Sequence, residues 1–194
     1  MKKKNKSGYP SSDEIMAEIE RVDSAKGSRR VFHRLLLVLV TMIAATILLS
    51  LLFFPMLTIY GTSMTPTFMD GDIVLAVRTK ELERGDIVAF RYNNNVLVKR
   101  LIASSGDWVM VDNDGKVYIN DRLIDEPYVD EPSLGDCNVD LPLQVPDTRY
   151  FVMGDHRSVS LDSRNTSVGF VTTEQIVGRL VFRIWPITDF GFIH

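Results

Sequence analysis

The chain has 194 residues, 45% of them apolar, and a net charge of −3, which is enough for one domain with appendages. Its single cysteine, Cys137, excludes an intrachain disulfide and a multi-cysteine metal site, and three scattered histidines (His33, His156, His194) give no expectation of a metal centre. Charge is unevenly spread: residues 1–34 carry nine Lys/Arg against five Asp/Glu, residues 35–54 none, and residues 55–194 carry 13 against 20, an acidic balance that argues against nucleic-acid binding.

Residues 1–34 form a basic tail. It predicts a short helix over 13–22 with Ser11 or Ser12 as its cap. Its positive charge suits contact with anionic lipid. Residues 35–54 (LLLVLVTMIAATILLSLLFF) are interrupted only by Thr41, Thr46 and Ser50. As a helix they would span about 30 Å, the thickness of a bilayer core. A small domain has little room for a core helix that is apolar on every side. A cleaved signal peptide has a shorter apolar region and ends at a small-x-small site, whereas this run ends in Leu51-Leu52-Phe53-Phe54-Pro55. The reading is an uncleaved transmembrane anchor. Arg21, Lys26, Arg29, Arg30 and Arg34 precede it, and the first basic residue after it is Arg78. The positive-inside rule then expects a single-pass protein with the N-terminus cytoplasmic and residues 55–194 outside.

Beyond residue 54 the pattern is of short β-branched runs separated by turn residues. Strands are predicted at 73–77, 87–90, 96–103, 108–111, 116–119, 150–153 and 179–185, with turns at Asn93-Asn94-Asn95 and Asp112-Asn113-Asp114-Gly115. This predicts an antiparallel β domain. Residues 121–148, rich in Asp, Pro and Gly, read as an irregular excursion, and a helix is possible over 172–177.

Three features carry chemistry. Ser63 sits in Gly61-Thr62-Ser63-Met64-Thr65-Pro66-Thr67, eight residues past Pro55 and so within about 28 Å of the anchor's end. It is either a surface turn or a nucleophile held in a fixed pose. Lys99 and Arg100 interrupt an apolar run, and on a strand they point to opposite faces, so one must face the packed side. A buried lysine loses hydration of its charged form, and lowering its pKa from about 10.4 to about 8 needs roughly 3 kcal/mol. Its neutral amine could take a proton from a serine. Residues 153–164 (MGDHRSVSLDSR) form a dense polar loop in which Asp155, Arg157, Asp162 and Arg164 suit two ion pairs. A Ser-His-Asp triad through His156 is the competing arrangement, although a structural histidine is the commoner outcome in so charged a loop.

These segments, in order behind the anchor, resemble the bacterial type I signal peptidases, in their single-span form. The resemblance runs over about residues 35–190. It rests on SMTPT, DGDIVLAV (70–77), RGDIVAF (84–90), VKRLIASSGD (98–107), YFVMGDHRSVSLDSR (150–164) and GRLVFRIWP (178–186). It implies a mainly β fold: an antiparallel catalytic core at 55–105 and 149–194, a β-rich extension at 106–148, and one N-terminal transmembrane helix. It implies a membrane-bound serine endopeptidase that removes signal peptides from exported preproteins after A-x-A-like sites. Its partners are preprotein signal peptides and membrane lipid, with no cofactor, metal or nucleic acid.

Residue by residue, the resemblance makes Ser63 the nucleophile and Lys99 the general base. Ser160 is matched to a serine that contacts the lysine. Asp162, Arg164, Asp155 and Arg157 brace the site. The oxyanion falls to the Ser63 N–H and to the position of Gly61, where some members carry a serine; this chain lacks that hydroxyl, and Thr62 or another backbone group is left to substitute for it. Tyr60, Met64, Phe68, Leu97 and Val98 are matched to the shallow pockets for small side chains. His156 stands where many members carry Asn. Two other readings fit less well. A Ser-Lys autoprotease of the repressor class expects a DNA-binding segment and no span, and a decayed binding protein does not expect Ser63, Lys99 and Ser160 to be intact.

Overall fold

No proline falls between Ser12 and Phe53, and Gly27 is the only glycine, at a cost of about 1 kcal/mol relative to alanine. The computed structural model, which describes residues 12–79 and 81–193, accordingly has one continuous helix, α1, Ser12–Phe53. The short helix expected over 13–22 is the first part of it, and Ser11 lies outside the described residues. Asp13 and Glu14 in the first turn suit the positive end of the helix dipole. Pro55 ends it, since proline removes a donor and restricts the residue before it. Within α1, Val31–Leu49 is long and apolar enough to cross a membrane, and its side chains are exposed. The chain divides into two compact units, residues 1–50 and 51–194.

The second unit is antiparallel β throughout. In chain order its strands are β1 Met56–Thr58, β2 Ile73–Val77, β3 Ile87–Tyr92, β4 Asn95–Ser104, β5 Trp108–Val111 and β6 Val117–Ile119. There follow β7 Arg122–Leu123, β8 Leu143–Gln144, β9 Arg149–Met153, β10 Val171–Thr172, β11 Ile176–Trp185 and β12 Gly191–Phe192. The main sheet runs β1-β2-β11-β3-β4-β9-β10, with β12 on β11, and a second sheet runs β7-β6-β5-β8. This is the mainly β architecture expected from the sequence. The helix expected over 172–177 is only a single 3-10 turn, Thr173–Gln175, because Ile176 already begins β11.

Hydrophobic alternation places the core. Ile59, Met64, Phe68, Val74, Ala76, Ile87, Ala89 and Leu180 pack in one cluster. Ile102, Ala103, Val109, Val111, Val117, Ile119, Val145, Phe151 and Met153 pack in another, which joins the second sheet to the first. At roughly 25 cal/mol per Å² of buried apolar area, such clusters are what fix the strands in register.

Two features of the register matter for the site. The β3–β4 hairpin closes through Asn93-Asn94, with Tyr92 opposite Asn95 and Asn93 at φ 52°, a conformation that asparagine tolerates better than most residues. Strand β4 pairs with β3 from Asn95 to Arg100, but with β9 only from Arg100 onward. Residues 95–99 therefore present an unpaired edge, and β1, at the end of the sheet order, presents another.

Candidate active site

The loop from β1 to β2 is pinned at both ends. The Ile59 N–H donates to the Asp72 carbonyl at 2.8 Å, the Gly71 N–H to the Ile59 carbonyl at 2.9 Å, and the Gly61 N–H to Asp70 Oδ1 at 2.7 Å. Ser63 follows in a tight turn closed by Thr65 N–H on the Thr62 carbonyl. Met64 and Phe68, both buried, nail the turn to the core. The Ser63 carbonyl accepts from the His156 N–H at 3.2 Å, which ties this turn to the 154–164 segment.

Lys99 reaches the same point from β4. Its Nζ lies 2.6 Å from Ser63 Oγ, within hydrogen-bond distance. Lys99 and Arg100 are each only 3% exposed, so the alternation of the strand buries both, on opposite faces. Burial is the main reason that the Lys99 ammonium falls from its ordinary value to about 8. The Asp162 charge opposes that fall, the Arg164 charge assists it, and Asp155 opposes it weakly.

On the opposite face of β4 from Lys99, Arg100 donates through Nε and Nη2 to Asp155 at 2.9 and 2.7 Å, and through Nη1 to the Gly85 carbonyl. Thr67 Oγ1 donates to the same carboxylate. Arg164 grips Asp162 in a bidentate pair at 2.9 and 2.8 Å, and the Gly154 N–H donates to Asp162 at 2.9 Å. Burial pushes the Asp162 carboxyl up, but these donors and the Arg164 charge outweigh it and hold the group below the usual range.

Of the two ion pairs expected inside the loop, Asp162–Arg164 forms. Asp155 and Arg157 do not pair with each other. Asp155 is taken by Arg100 across the strands, and Arg157 turns outward to Glu126, at 2.9 and 2.6 Å. Gly154 must lack a side chain, because a Cβ there would lie 2.2 Å from Ser160 Oγ and 2.5 Å from the Ser63 carbonyl oxygen. Ser160 is thus packed beside Ser63. No hydrogen bond joins its buried hydroxyl to Lys99, so the contact that the resemblance implied is not formed; the hydroxyl faces Asp162, whose carboxyl it helps to lower.

Gly61 is corrected as an oxyanion donor. It has no hydroxyl, and its N–H is already held by Asp70. The Ser63 N–H has no partner among the described residues. His156 Nδ1 sits 2.9 Å from Thr65 Oγ1 and 3.2 Å from the Thr62 carbonyl, and not on Ser63 Oγ. His156 Nδ1 is thus engaged with the turn at Thr62 and Thr65 and makes no hydrogen bond to the Ser63 hydroxyl.

A groove of about 690 Å³ opens at the Ser63–Lys99 pair, between the unpaired edges of β1 and β4. Tyr60, Met64, Leu97 and Val98 line it. Phe68 does not: it is fully buried, with its ring under the Arg183 guanidinium, and belongs to the core. Met56 to Ile59 and Asn94 to Val96, which the sequence reading missed, complete the walls. Their signal was faint, since β1 has only three residues.

Among sequences and structures already known, a model of the family described as "Signal peptidase, peptidase S26" matches residues 32–185. A signal peptidase IB of Staphylococcus aureus (strain MRSA252) is 38% identical over 155 residues, 70% of this chain and 80% of that one. The thylakoidal processing peptidase 1, chloroplastic, of Arabidopsis thaliana is 40% identical over 146 residues, 66% of this chain, which spans 41% of the plant protein's length. A solved signal peptidase I of Enterococcus faecalis V583 overlays with a TM-score of 0.43 and 32% identity, covering 52% of this chain and 97% of that one. By the extent of the family match and the coverage of the staphylococcal relative, the chain belongs to the signal peptidase family, peptidase S26, and is an enzyme of the type I signal peptidases.

Proposed function

We propose that this enzyme cuts N-terminal signal peptides from exported preproteins by a Ser-Lys dyad mechanism, after sites with small residues at −1 and −3. The observation that carries the reading is the 2.6 Å approach of a buried, easily deprotonated Lys99 to Ser63 Oγ, at the head of an open-edged groove. Neutral Lys99 takes the Ser63 hydroxyl proton as Oγ attacks the scissile carbonyl, and an acyl-enzyme forms with its oxyanion on the Ser63 N–H. The lysine ammonium then protonates the leaving amine, and once neutral again it activates the water that hydrolyses the ester. Ser160, packed beside Ser63, orients Lys99 by turning its hydroxyl to the amine as the amine changes charge. Asp155, Arg157, Asp162 and Arg164 brace the segment that holds it.

The substrate enters as an extended strand against the free edge of β4 or β1, so that alternate side chains point into the groove. Met64, Leu97 and Val98 make those pockets shallow and apolar, and Tyr60 flanks their mouth. Residues 35–54 hold the enzyme in the membrane and residues 1–34 stay on the cytoplasmic side, as the basic flank favours. Residues 55–105 and 149–194 form the catalytic core, with 106–148 as an extension.

The test is cleavage of a preprotein in detergent or lipid, with Ala at −1 and −3 compared with Leu at either position. The alanine substrate should be cut and each leucine substrate cut roughly 10²-fold more slowly. Equal rates on all three would overturn the proposed specificity, and no cleavage of any would overturn the function.

A further inference from the structure

We infer that Glu126, outside every segment that carries the family resemblance, is a positioning residue for the Ser63–Lys99 pair and acts through Arg157. The inference rests on the proposed reading of that pair. Three arginines are buried around the site: Arg100, Arg157 and Arg164. Asp155 is occupied by Arg100, and Asp162 by Arg164. Arg157, whose side chain is 0% exposed, has its only ion pair among the described residues with Glu126, itself 10% exposed and supplied by the segment between β7 and β8. A buried guanidinium deprived of its carboxylate is strongly disfavoured, so this pair cannot be an incidental surface contact.

The pair bears on the site through Gly154. Arg157 Nε donates to the Gly154 carbonyl at 3.1 Å, while the Gly154 N–H is held by Asp162. The face of Gly154 presses on Ser160 Oγ and on the carbonyl of Ser63. Moving Arg157 therefore moves the backbone against which Ser63 and Ser160 are set.

The segment between β7 and β8, residues 124–142, is a strap that also grips the other two arginines. Tyr128 donates its hydroxyl to Glu126 Oε1 at 2.8 Å and lays its ring 3.8 Å from the Arg100 guanidinium. Arg164 donates to the carbonyls of Ser133 and Leu134 at 3.1 and 2.8 Å. The Asn138 N–H donates to the Arg164 carbonyl at 3.0 Å. A Cβ at Gly135 would lie 2.3 Å from the Arg157 carbonyl oxygen, so the strap runs directly against the braced segment. The strap thus supplies the third countercharge that the braced segment itself lacks.

The experiment compares wild type, Glu126→Gln, Arg157→Met and the double variant as full-length protein in detergent, on a preprotein with Ala at −1 and −3. Thermal melts establish that each is folded at the assay temperature. Glu126→Gln is expected to lower kcat about tenfold with KM changed by less than about twofold, and the double variant to be no worse than the poorer single. A folded Glu126→Gln enzyme with kcat within about twofold of wild type, or losses that multiply in the double variant, would overturn the inference. Should Glu126→Gln not fold, Tyr128→Phe decides, because it removes only the hydroxyl donor to Glu126. A fall in kcat of about twofold to threefold supports the inference and an unchanged kcat refutes it. Failure of the wild type to cut the preprotein would instead count against the proposed function.

Discussion

Ser63→Ala is expected to lower preprotein cleavage by about 10⁴-fold or more, while the enzyme still folds and still captures its substrate. The substitution removes one oxygen. The turn that carries it is held by Met64, Phe68 and the hydrogen bonds of Gly61, Thr65 and the Ser63 carbonyl, none of which needs the hydroxyl. The groove walls contributed by β1 and β4 also remain. What disappears is the atom that would form the acyl-enzyme, and His156, whose Nδ1 serves Thr62 and Thr65, offers no substitute. Cleavage assayed by the appearance of mature protein, together with co-purification of uncut preprotein, checks both halves of the expectation. Substantial turnover by the alanine variant would mean that another nucleophile acts.

Lys99→Arg should be almost as damaging, at about 10³-fold or more, and it separates two roles that a lysine can play. If Lys99 contributed only positive charge, arginine would preserve much of the activity. A general base must be able to lose its proton at working pH, and a guanidinium does not. Arginine is also larger, and Lys99 is only 3% exposed on a strand packed on both faces. Lys99→Met therefore serves as the companion variant, fitting the volume without the charge. Both variants are expected to be inactive and folded; an active arginine variant would remove the general-base role.

Much of this was legible in the sequence because the signals were local. Residues 73–77 and 108–111 became strands with the boundaries that their β-branched runs indicate, and the uncharged stretch after Arg34 lies in the helix. Ser63 and Lys99 stood out because a serine between glycine and proline, and a lysine within an apolar strand, break the surrounding pattern. What was not legible was long-range. Nothing local says that Asp155 reaches Arg100 rather than Arg157, since that depends on the register of β4 against β9. Glu126 is 31 residues from Arg157 in sequence and sits in a segment whose prolines and aspartates look merely irregular. Phe68 resembled a pocket residue in the sequence, yet its direction was set by the turn after Ser63, which points it into the core. The two-residue strands β7, β8, β10 and β12 carry too few residues for any periodicity to show.

The central claim, that burial lowers the Lys99 amine far enough for it to lose its proton near pH 8 and so take the Ser63 proton, is tested most directly by titrating that amine. Heteronuclear NMR of the Lys99 Nζ resonance in the full-length enzyme in detergent should give a midpoint of about 8. Because the base acts in its deprotonated form, kcat/KM should be low below that pH, rise through the same midpoint and level off above it. A Lys99 midpoint near the ordinary lysine value of about 10.4, with kcat/KM already level at lower pH, would contradict the account.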